Sequence, residues 1–173
     1  MKKSVGSASD GQRYLAFSLN EEEYAIPLLH VKEVIALPEV TQIPYTPSHF
    51  LGIMNLRGQV ISIVDLRLKF KMKKAEKTSE TTVVICDFDS VVLGVVVDSV
   101  NCVMALNEGD IAPKPEIESS VNSGYITGVT KRDKKLVVLL NLAKALSVED
   151  RQAMNKAASG TTVAKGTSAA EAA

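Results

Sequence analysis

The joints between the apolar runs of this chain are very short, and that restricts its fold more than any other feature. RYLAFSL (13–19) and EEYAIPL (22–28) are separated by two residues, as are LGIMNL (51–56) and QVISIVDL (59–66), and TVVICDF (82–88) and VVLGVVVDSV (91–100). A parallel crossover needs a connection of about a dozen residues, so each of these joints dictates an antiparallel hairpin. CVMAL (102–106), YITGVT (125–130) and KLVVLLNL (135–142) have the same character, rich in β-branched residues and Leu and bounded by Asp, Asn, Gly and Pro. Helix is scarce, with one short segment expected over LLHVKEVI (28–35). A second is expected from Leu142 to about Asn155, with Ala143, Leu146 and Met154 facing inward. The chain reads as all-β with small helical additions.

A weak internal echo gives the architecture. EEYAIPLLHVKEV (22–34) leads through the proline loop QIPYTP (42–47) to GIMNLRGQVISIVDL (52–66). VVLGVVVDSVNCV (91–103) leads through IAPKPE (111–116) to GYITGVTKRDKKLVVLLNL (124–142). The repetition implies two similar barrels of about five strands each, since closure removes exposed strand edges. At the turn the second half has Thr130-Lys131-Arg132-Asp133, where the first has Leu56-Arg57-Gly58. The fold therefore does not require Arg57. Its side chain serves either a local role, as an ion pair with Asp65 or a cap on a nearby carbonyl, or a contact with another protein, where arginine is often a hot spot.

Residues 1–12 are small and polar and are expected to be disordered. Residues 151–173 form a low-complexity tail rich in Ala, Ser, Thr and Gly, helical at most at its start, because such a segment buries too little surface to offset its ordering entropy. The folded unit is thus expected over 13–150. Lys+Arg and Asp+Glu both total 20, so no basic excess points to nucleic acid. The segment KMKKAEKTSE (71–80) reads as a solvated loop. The apolar run VVLGVVV (91–97) is too short to span a bilayer, and MKKSVGSASDG does not read as a signal peptide. The expectation is a cytoplasmic protein without direct membrane insertion.

Catalytic chemistry finds little support. No glycine-rich phosphate loop or nucleophile elbow occurs, and there is no tryptophan. His30 and His49 lack neighbours at ligand spacing, so neither a metal site nor a cofactor is expected. Cys86 and Cys102 lie in strand-like runs and read as buried thiols. The rival reading is a two-barrel ligand-binding module or enzyme with its site between the barrels.

Four blocks, EEYAIPLLHVKEVI (22–35), QIPYTPSHFLG (42–52), NLRGQVISIVDLR (55–67) and VVLGVVVDSV (91–100), resemble the CheW family of bacterial chemotaxis coupling proteins. The resemblance extends in order over about residues 13–150. It implies two five-stranded SH3-like β-barrels packed side by side with an apolar groove between them, and no catalysis or cofactor. It further implies an adaptor at membrane-associated arrays, joining the cytoplasmic tip of chemoreceptors to the regulatory domain of the histidine kinase CheA, with mixed rings formed with that domain. Carried over by motif, Val31, Glu33, Gly52 and Arg57, with Asn55 and Gly58 of the NLRG block, match positions tied to receptor or kinase binding. Val31 packing inside and Gly52 supplying an unusual backbone angle are the alternatives.

Overall fold

The computed structural model describes residues 11–73, 75–89, 91–114 and 123–164, excepting the side chains of Ser123 and 158–164. Most of the expected N-terminal segment and the end of the tail (165–173) lie outside the described residues. The strands are β1 (Gln12–Leu19), β2 (Glu22–Pro27), β3 (Val31–Ala36), β4 (Phe50–Leu56), β5 (Gln59–Asp65), β6 (Thr82–Asp87), β7 (Val92–Val97), β8 (Ser99–Leu106), β9 (Ile126–Arg132) and β10 (Lys135–Leu140). The helices are α1 (Leu66–Lys69), α2 (Leu142–Ala145) and α3 (Val148–Ala164).

Two five-stranded sheets result, ordered β8-β1-β2-β10-β9 and β3-β6-β7-β5-β4. The chain is mostly β with small helical additions, as its sequence implies. The hairpins β1–β2, β4–β5, β6–β7 and β9–β10 are antiparallel, while β10 with β2 and β5 with β7 are the parallel pairs. The internal echo is real in its registers. Gly52 faces Ile63 and Gly128 faces Leu139, each beside a bulge, and a bridge from the preceding loop reaches Ile53 (from Thr41) and Val129 (from Ala112). The two halves of the sequence are not, however, the two sheets. The first half gives β1 and β2 to one sheet and β3–β5 to the other, and the second half reverses the donation.

Three element boundaries also differ from the sequence reading. In LLHVKEVI only Leu28–His30 is helical, as one 3₁₀ turn; Val31–Ala36 is a strand of alternating exposure paired with β6. Its β-branched residues Val31, Val34 and Ile35 meet a partner strand, which outweighs their helix-compatible spacing from Leu28. The run 91–100 breaks at Asp98, where β7 ends in one sheet and β8 begins in the other. The helix expected over 142–155 is two helices, because Ser147 starts a new one: its Oγ accepts the Asp150 N–H and Asp150 Oδ2 accepts the Ser147 N–H.

The sheets face each other across one core. Phe17, Leu19, Ile26 and Leu140 of the first sheet belong to the same buried cluster as Val64, Val84, Leu93 and Val97 of the second, each side chain contributing about 1.5–3 kcal/mol on burial. Each sheet also wraps a smaller cluster, Met54, Ile61, Ile63, Val83, Ile85 and Val96 in one and Tyr14, Ala16, Ala25, Val137 and Leu139 in the other. Strands such as β5 and β7 are therefore covered on both faces, which explains their unbroken apolar sequences. Cys86 sits in the main core with its thiol pushed up to about 12 by burial.

Asp65-Leu66-Arg67 makes the corner where β5 leaves its sheet. Asp65 Oδ1 caps α1 by accepting the N–H of Arg67 (2.9 Å), Leu66 is buried, and Arg67 pairs with Asp98 at the β7–β8 crossing. Asn141-Leu142 repeats the cap and the buried leucine at α2. The helix α3 adds Met154 and Ala157 to the core, so packing continues beyond residue 150. It is clamped by Asp150, which is buried and accepts hydrogen bonds from Lys69 Nζ (2.5 Å) and His49 Nε2.

Candidate interaction site

Arg57 and Gly58 are the two central residues of the β4–β5 turn, with φ of +52° and +86°. Two left-handed residues match the twist of a two-residue hairpin, and Asn or Asp before Gly is the usual choice for them. Arginine there costs about 1 kcal/mol. Asn55 stabilises the turn, its Oδ1 accepting the Gly58 N–H at 2.8 Å. The counterpart turn at β9–β10 is Asp133-Lys134, also left-handed at both residues, rather than the Lys131-Arg132 centre suggested by sequence.

The guanidinium of Arg57 does not reach Asp65, the partner expected from sequence. It donates through Nη1 and Nη2 to the two carboxylate oxygens of Glu33, at 3.0 and 2.9 Å. Glu33 lies at a bulge in β3, opposite Ile85. In a flat sheet three strand spacings, about 14 Å, would separate β5 from β3. The ion pair therefore bridges two strands that are not neighbours in the sheet. Arg57 is 76% exposed and Glu33 25%. The pair adds little stability at such exposure, but it holds a fork of donors in one orientation at the surface.

Glu33, Asn55, Arg57 and Gly58 are thus brought together. Val31, two residues before Glu33, is half-buried and packs against the core between the sheets. Gly52 stands apart, near the start of β4. Its φ is +142°, and a Cβ there would lie 2.0 Å from the Thr41 carbonyl oxygen. Only glycine admits that close crossing of the loop over the strand.

Beside the ion pair lies a hollow of about 150 Å³ floored by Leu56, Ile61, Ile85 and Val92 and edged by Lys32 and Gln59. None of these was singled out from sequence. They come from five strands, β3 to β7, that are scattered in sequence and gathered by the strand order of the sheet; Lys32, Leu56, Gln59, Ile61 and Val92 lie within the sequence blocks quoted above. Lys32 pairs with Asp87 at 3.3 Å. The end of the first sheet is built differently: Glu23, only 6% exposed, accepts hydrogen bonds from Asn101 Nδ2 (3.0 Å) and pairs with Arg132 (3.4 Å), whose Nη1 also meets Cys102 Sγ. A cavity of about 610 Å³ beside α1 is lined by Leu51, Leu68 and Val96 and by the polar groups of Asp65, Arg67 and Asp98. Among the described residues no group of three or more His, Cys, Asp or Glu is placed to hold a metal, and no helix is long and apolar enough to cross a membrane.

Residues 13–150 match the family model described as CheW-like domain. The chemotaxis protein CheW of Klebsiella aerogenes is 36% identical over 140 residues, covering 81% of this chain and 84% of that protein. The probable chemotaxis protein CheW of Rhizobium etli is 30% identical over 154 residues, covering 88% and 99% respectively. The crystal structure of the scaffolding protein TtCheW from Thermoanaerobacter tengcongensis matches with a TM-score of 0.74 at 30% identity, over 81% of this chain and 95% of that one. The family model, the curated relatives and the solved structure agree: the chain belongs to the CheW family of chemotaxis scaffold proteins.

Proposed function

We propose that this chain is a non-catalytic cytoplasmic adaptor that couples the signalling tip of chemoreceptors to the regulatory domain of the histidine kinase CheA. The observation that carries the reading is Arg57. It occupies a strained turn position that the fold fills elsewhere with Asp133, it is exposed, and Glu33 and Asn55 fix its direction. A pre-organised guanidinium in an apolar-floored rim suits a protein partner better than a metabolite. The kinase regulatory domain belongs to the same fold family, so ends of sheets meeting ends of sheets would allow mixed rings at receptor arrays. Receptor states that differ in affinity for this adaptor would shift the kinase equilibrium. The test is reconstitution with a receptor cytoplasmic fragment and the kinase. The wild-type chain is expected to form a ternary complex and raise kinase activity, and Arg57→Ala to lose most of that gain at an unchanged melting temperature. Full activation by Arg57→Ala removes Arg57 from the site.

A further inference from the structure

The registers make β8 the counterpart of β3, β1 of β6, β2 of β7, β10 of β5 and β9 of β4. The correspondence equates individual residues at the two sheet ends. Leu56 and Arg132 each pair with the first residue of the following strand, Gln59 and Lys135. Glu33 and Cys102 each follow the bulge of an edge strand, opposite Ile85 and Ala16. Val92 and Glu23 are equated through Ile61 and Val137, with Val137 facing Glu23 across the parallel pair. The three residues that leave the second sheet's end hollow and apolar, or rim it with charge, are thus replaced in the first sheet by the cluster of Arg132, Cys102 and Glu23.

We propose that the Arg132–Glu23 pair is a specificity element: it fills the first sheet's counterpart of the hollow, so that a protein partner seats an aliphatic side chain only at the second sheet. The proposal rests on the adaptor reading and names the chemistry of that partner. The apolar floor of Leu56, Ile61, Ile85 and Val92 defines the aliphatic group, while the rim cations Lys32 and Arg57 are each already paired, with Asp87 and Glu33, and add no net charge.

Stability does not explain the plug. Glu23 is buried, and Arg132 Nε is buried without a hydrogen-bond partner. Aliphatic residues of the kind found in the second sheet close such an end without stranding a donor, and a buried ion pair replaced by packed aliphatics is often neutral or better. Those same residues would reproduce the hollow. The two ends are otherwise alike on their apolar side, with exposed valines at the equivalent positions Val34 and Val103. Without the plug, both ends would offer a partner the same surface, and specificity is gained by blocking the wrong one.

The experiment exchanges the two ends in the full chain and measures titration calorimetry against a soluble receptor cytoplasmic fragment and against the kinase regulatory domain. Leu56→Arg with Val92→Glu plugs the second sheet, and its binding is expected to weaken about tenfold or more. Arg132→Leu with Glu23→Val opens the first sheet, and the same partner is expected to occupy an additional, weaker site. Unweakened binding by the plugged variant, or unchanged stoichiometry in the opened one, overturns the specificity proposal and leaves the adaptor reading standing. A wild-type chain that binds neither partner overturns the adaptor reading itself. If the plugged variant fails to fold, the opened one decides alone, since it replaces a buried ion pair by aliphatic groups already tolerated at the matching positions.

Discussion

Arg57 stands at a backbone angle that an asparagine or glycine adopts more easily, and its ion pair with Glu33 is exposed. Arg57→Asn is therefore expected to leave thermal stability unchanged or raise it by less than about 1 kcal/mol, while receptor-dependent kinase activation falls. Urea melts beside an activation assay separate the two effects. Gly52 has the opposite character. The Thr41 carbonyl blocks any Cβ, so Gly52→Ala is expected to cost about 3 kcal/mol in a chemical melt, and coupling is lost only because the fold is weakened. At this scale the turn chemistry of Asn55-Leu56-Arg57-Gly58 was legible from residue types alone. The partner of Arg57 was not, because Glu33 is remote in sequence and lies on a strand that is not a neighbour of β5.

Three of the four hairpins were visible in their two-residue joints and the fourth in a joint of four, while the corners were not. IVDLR reads as one continuous strand, yet Asp65 stops it by capping the next amides, and Arg67 turns back to meet Asp98. Asp98 was hidden in an apolar run for the same reason: its partner lies in another element. Both side chains are largely buried, so Arg67→Ala leaves Asp98 without its cation, and a loss of about 3 kcal/mol is expected in denaturant melts. The α3 clamp has a pH signature. Burial raises the Asp150 carboxyl, but hydrogen bonds from Lys69, Ser147 and His49 outweigh it and bring the group from 3.8 to about 2. A pKa lower in the folded state means that this anchor stabilises the protein above pH about 4 and is lost as the pH falls toward 2. The protection of α3 against hydrogen exchange, taken relative to the intrinsic rate at each pH, is expected to fall across that interval, and Asp150→Asn to abolish the dependence.

Over the whole molecule, the doubling of the sequence was legible and its meaning was not. Similar halves suggest two independent units, but each sheet takes strands from both halves. No local pattern records that exchange, because it is decided where β3 and β8 leave one sheet for the other. Cutting the chain in the 71–80 segment, between β5 and β6, is therefore expected to give two fragments that are each unfolded by circular dichroism and that regain β-structure only on mixing. Independent folding of either fragment would contradict the topology.

That reciprocal strand donation resembles a swapped dimer whose subunits have been joined end to end. In a dimer of identical subunits every substitution appears twice, and its two poles must stay the same. A continuous polypeptide is free of that bond: it can carry arginine at one tip and aspartate at the other, giving each pole of a nearly twofold body its own role.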